Sequence, residues 1–86
     1  MPHLLVTIQN VPLENIRIVL ENDKAFHEKN GIFLEYLWQY ATNEHEVIYL
    51  FKIDSVEKTK YLINQLHSET LAENPDFDLP EMIYLE

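Results

Sequence analysis

The sequence predicts an α+β fold with its elements in the order β-α-β-β-α-β, and three observations carry that expectation. Short runs of β-branched and aromatic residues recur near both ends and in the middle of the chain. Two longer stretches space apolar residues three and four apart, and turn or capping residues stand at the joints. With 86 residues, 47% of them hydrophobic, one Gly and four Pro, the composition is that of a folding chain, expected to form one domain over residues 1–86. A core of this size buries only about 60% of the unfolded surface, so a stabilising partner is expected.

The run LLVTI at 4–8 is too short for a helix and ends at the turn-prone pair Gln9-Asn10, which predicts the first strand. Asn10 is suited to capping a helix, Pro12 tolerates a first-turn position because it lacks an N–H, and Glu14 complements the positive helix end. Ile16, Val19, Leu20, Asp23, Phe26 and His27 continue the helical spacing to Asn30, and Gly31 stands where a left-handed residue would end it. The segment IFLEYLWQYA at 32–41 is large and apolar almost throughout, which predicts a second strand buried on most of both faces. After a polar turn, TNEHE at 42–46, the run EVIYLFKI at 46–53 predicts a third strand, joined to the second as an antiparallel hairpin with a loop of about five residues. Asp54 or Ser55 caps the next helix, whose apolar stripe includes Val56, Leu62, Ile63, Leu66 and Leu71 and ends near Glu73. A connection holding Pro75 and Pro80 leads to a short final strand, MIYLE, started by Pro80.

That order is the ferredoxin-like plait, a four-stranded antiparallel sheet with both helices on one face. Its other face then carries apolar side chains that the helices do not cover, and a second copy of the chain is the expected cover, in a C2 homodimer. Tyr36, Trp38 and Tyr40 share one side of their strand by alternation, and Tyr49 and Phe51 are expected to face them across the hairpin.

The segment FHEKNGIFLEYLWQYATNEHEVIYLFKIDSVEKTKYLI, with LPEMIYLE at the end, resembles the small dimeric α/β barrel proteins of the antibiotic-biosynthesis-monooxygenase and polyketide-cyclase type. The likeness lies in an Asn-Gly-Ile step after the helix, Asn-Glu-x-x-Val opening the second hairpin strand, an acid-led second helix and a Pro-Glu-x-x-Tyr-Leu-Glu close. The resemblance implies a dimeric barrel and cofactor-free work on a small aromatic or polyketide-like molecule, for which such proteins are understood to use an Asn/Trp/Arg type of polar set. Where they often carry a basic residue or His in strand one and Asp and Trp near the first helix, this chain has Thr7, Ile8, Pro12 and Ile16, and its one arginine is Arg17. The resemblance therefore implies the fold more directly than the activity.

The residues narrow the chemistry further. Absence of cysteine removes disulfides, thiolate zinc sites and a cysteine nucleophile, and fits a cytoplasmic protein. A charge of −9, from 15 acids against 6 bases, opposes nucleic acid and anionic membranes, and the N-terminal residues make no signal peptide. His27-Glu28 opens like a zincin motif, but Gly31 holds the place of the second His; no metal and no cofactor are expected. Asp23 and His27 can pair as a surface salt bridge, and Glu44-His45-Glu46 offers only a chance metal contact. His67-Ser68-Glu69 point apart on a helix and cannot converge as a triad. Tyr49 and Phe51 invite comparison with RNA-recognition strands, against which the acidic charge argues.

The expected ligand pocket is lined by Thr7, Tyr36, Trp38, Tyr49 and Phe51, with His3 as the candidate for proton transfer. Two functions are open at this point. One is a dimeric barrel that binds or transforms a small aromatic molecule; the other is a dimeric binding or interaction module without catalysis.

Overall fold

A computed structural model describes all 86 residues apart from the side chain of Glu44. The expectation for a metal contact at Glu44-His45-Glu46 falls partly on that side chain and lies outside the described residues. The elements run β1 (His3–Gln9), α1 (Leu13–Asn22), α2 (Lys24–Lys29), β2 (Ile32–Tyr40), β3 (Asn43–Ile53), α3 (Val56–Glu73) and β4 (Glu81–Leu85). The strands form one antiparallel sheet in the order β2-β3-β1-β4, an α+β arrangement compatible with a ferredoxin-like fold. No helix is long and apolar enough to cross a membrane.

Alternation along β1 and β3 sends Leu4 and Val6, and Val47, Tyr49, Phe51 and Ile53, to the side where the helices lie. There they meet Ile16 and Leu20 of α1, with Val56 and Leu62 of α3 packed against the same cluster. Each such side chain contributes about 1.5–3 kcal/mol by leaving water, a gross gain that the conformational entropy lost on folding largely offsets. α3 is the looser layer: among its described residues only Thr59 is buried, and its hydroxyl has no hydrogen-bond partner.

Local chemistry explains the element ends. The single expected helix over 12–30 is instead two, α1 and α2, because Asp23 leaves helical geometry at φ −95° and ψ 2°. Asn10 does not cap α1; it adopts φ +63°, a conformation Asn tolerates, and Pro12 occupies the N-cap without a side-chain bond. Of the two candidate caps for α3, Ser55 serves: its Oγ accepts from the Lys58 N–H at 3.2 Å. Asp54 instead pairs with Lys58 Nζ at 2.7 Å.

Two expectations about the hairpin are corrected. The loop is shorter than five residues, since Tyr40 pairs with Asn43 and leaves Ala41 and Thr42 at the turn. The polar residues after it lie in β3 because strand pairing is a backbone property and the hairpin tip meets little core. β2 is also not buried on both faces. It is an end strand of the sheet, and Phe33, Leu34, Tyr36, Trp38 and Tyr40 are all exposed.

Gly31 takes φ +74° at the exit from α2, as its position predicts. Its N–H donates to the Glu28 carbonyl, and its own carbonyl accepts from the Asp54 N–H at 3.0 Å. A Cβ at this point would run into the Asp54 carboxylate. Gly31→Ala should therefore destabilise the fold by about 1 kcal/mol, the cost of a left-handed alanine, while the exposed Asp54 carboxylate swings aside. Thermal denaturation checks this: a lowering of roughly 4–8 °C is expected, and an unchanged midpoint contradicts it.

Candidate functional site

The side of the sheet away from the helices is organised as three rungs that cross all four strands. Phe33, Lys52, His3 and Leu85 form the first, Tyr36, Leu50, Leu5 and Ile83 the second, and Trp38, Ile48, Thr7 and Glu81 the third. Residues directly opposite on neighbouring strands share a face, so most of this surface is apolar or aromatic. The Tyr36 and Trp38 rings stack with centroids 5.1 Å apart and planes inclined by 10°. Both remain open to solvent, at 55% and 45% exposure.

One irregularity creates this set. Between the Leu34–Phe51 pair and the Tyr36–Leu50 pair the register of β2 shifts, so one extra residue, Glu35, is accommodated. Before the shift Ile32 and Leu34 point toward the helices; after it Leu37 does, and Tyr36 and Trp38 join Phe33 on the open side. Glu35 itself reaches across β3 to His3, whose Nε2 lies 3.0 Å from Glu35 Oε1. An imidazole held by a carboxylate has a defined orientation. Thr7 Oγ1 donates to Glu81 Oε2 at a long 3.4 Å in the third rung.

Of the residues expected from the sequence, His3, Thr7, Tyr36 and Trp38 thus share this face. Tyr49 and Phe51 do not, and their expected place beside Trp38 is corrected. The register sets Trp38 against Ile48 and Tyr36 against Leu50, which turns Tyr49 and Phe51 into the helix-covered core. There their rings meet edge to face at 5.5 Å, and burial pushes the Tyr49 hydroxyl up to about 12. Glu35 was not among the expected residues. The one trace of it in the sequence is the spacing of Ile32, Leu34 and Leu37, which changes from two to three across it.

His27 also departs from expectation. Instead of standing in solvent beside Asp23, it is partly buried and sets its ring against Phe51, centroids 5.3 Å apart and planes at 69°. Burial pushes its pKa below the usual value, and the Asp23 carboxylate opposes that shift without cancelling it. Among the described residues no three His, Asp or Glu side chains gather as a metal-ion site. Compared with family models, curated proteins and solved structures, the chain matches none of them.

The lowered His27 value has a definite consequence for stability. The folded protein takes up this proton only at a lower pH than the unfolded chain, which does so near pH 6.5, so this contribution is complete above that pH and is lost as pH falls through the folded value. His67, lowered by burial as well, acts in the same sense. The melting temperature should drop less between roughly pH 7.5 and 5.5 in His27→Gln than in the unchanged protein. Parallel profiles for the two proteins would show that His27 carries no such linkage.

Proposed function

We propose that this chain is the protomer of a homodimer in which two sheets pack open face to open face as a dimeric α/β barrel of the ferredoxin-like plait. We further propose that the barrel interior binds a small planar aromatic or polyketide-like molecule. The observation that carries this reading is the three-rung face itself, where stacked Tyr36 and Trp38 stand exposed beside the half-buried apolar pair Leu50 and Leu5. A two-fold axis lets such a patch bury against its own copy, and an 86-residue chain gains from the added core. An aromatic ligand would stack on the Tyr36 and Trp38 rings. The His3–Glu35 pair supplies a proton acceptor for a phenol or enol held there. The likeness to antibiotic-biosynthesis monooxygenases and polyketide cyclases belongs to this reading and supports the barrel more than the chemistry.

A second reading keeps the dimer and gives it no catalysis. It is favoured by the position of Tyr49 and Phe51, which pack in the core and leave the open face with fewer rings to line a pocket.

Sedimentation velocity and Trp38 fluorescence test both readings. The unchanged protein should sediment with twice the mass of the chain at micromolar concentration. Leu50→Asp, which places a charge on the open face, should give a folded monomer; Phe51→Asp, on the opposite face, should unfold it. In the dimer 2-naphthol should quench Trp38 saturably and raise the melting temperature with its concentration, an effect lost in Leu50→Asp and weakened in His3→Gln. A monomer at every concentration rejects the barrel, and a dimer indifferent to aromatic probes selects the second reading.

A further inference from the structure

Between α1, α2 and the outer edge of β2 lies a cleft of about 340 Å³, on the helix side of the sheet and apart from the three-rung face. That volume is within the range of small-ligand pockets, about 300–1,000 Å³. Leu20 and Ile32 floor it, and Leu34, 44% exposed, and Leu37 form its wall. The rim carries both signs of charge: Arg17 and Lys24 alternate with Glu21 and Glu28 along one stripe of α1 and α2. In a chain of net charge −9 this is a locally balanced site, and it uses the single arginine.

The rim cations are loosely held. Arg17 meets Glu14 through one contact of 3.5 Å, and Lys24 stands 4.0 Å from Glu28, whereas Lys58 closes on Asp54 at 2.7 Å elsewhere in the molecule. A guanidinium offers five donors in a planar fork, of which a single long contact uses little. Beside them the outer edge of β2 has no strand partner, so alternate backbone N–H and C=O groups face outward there. A simple anion entering the cleft would meet Glu21 and Glu28, and a simple cation would meet Arg17 and Lys24. A molecule that carries both charges at one end and a short apolar body at the other satisfies the rim and the floor together.

We propose that this cleft binds a small amphipathic zwitterion, a free α-amino acid with an apolar side chain. Its carboxylate pairs with Arg17, its ammonium with Glu21 one turn further on, and its side chain covers Leu34 and Leu37. The site is independent of whether the open faces of two sheets pair.

Amide-resolved NMR titration with L-leucine tests this, alongside 4-methylpentanoate, which lacks the ammonium, and 3-methylbutylamine, which lacks the carboxylate. Leucine should shift the amides of Leu20, Lys24, Ile32 and Leu34 saturably, and each analogue should bind about tenfold more weakly or worse, because it leaves a rim charge unpaired. Arg17→Gln and Glu21→Gln, both at exposed positions, should each weaken leucine binding about tenfold with the melting temperature unchanged. The proposal is overturned if leucine produces no saturable shift up to roughly 20 mM, or if either analogue binds as tightly as leucine. It is equally overturned if the shifts fall on the Trp38 face instead.

Discussion

The sheet can bury one face only if β2 changes parity part-way along, and the bulge at Glu35 is where it does so. Without the extra residue, strict alternation from Ile32 and Leu34 would carry Tyr36 and Trp38 to the helix side, opposite Tyr49 and Val47. That layer has no room for them: Val47, Val6 and Leu4 are already at or near zero exposure. Two further large rings would overpack a layer that is close to crystalline density, while Leu37 would be turned out into water. One inserted residue removes both conflicts. The same insertion leaves Glu35 on the side of His3, so the polar pair and the aromatic stack have a common origin in one irregularity of one strand.

A second junction holds the two halves of the chain in register. Gly31 ends α2 in a left-handed conformation, receives the Asp54 amide on its carbonyl, and sits against the Asp54 carboxylate. Asp54 in turn holds Lys58, on the first turn of α3 that Ser55 caps. The exit of the first helical segment, the last pair of the β2–β3 ladder and the entry to α3 are thereby tied within a few residues. α3 depends on this anchor more than α1 does, because its packing against the sheet is incomplete and includes the unbonded Thr59 hydroxyl.

What was legible in the sequence is what local chemistry specifies. The glycine that needs a positive φ, a cap at 54 or 55 and the sequence of strands and helical stretches all depend on neighbours within a few residues. The face of Tyr36 and Trp38 depended on register, and β2 hides its register: with large apolar residues at 32, 33, 34, 36, 37 and 38, period-two alternation has nothing to alternate against. Either parity fits the run at 47–51 as well, so the sequence leaves the face of Tyr49 and Phe51 open. His3 was recognisable as a lone imidazole on a strand, but its partner Glu35 is 32 positions away and meets it only across β3. The helix-side cleft was invisible for the same reason. Charges at 17, 21, 24 and 28 look like an ordinary solvated stripe until β2 is laid beside them.

The break in the β2 ladder also bears on how the molecule behaves at high concentration. A nine-residue end strand with exposed aromatic side chains is the kind of template on which further chains add edge to edge, toward fibrils. A flat incoming strand must match its hydrogen-bond spacing over the whole length, and the bulge interrupts that spacing near the middle while setting a carboxylate beside it. The residue that arranges the aromatic face thus also protects the border of the sheet against uncontrolled growth.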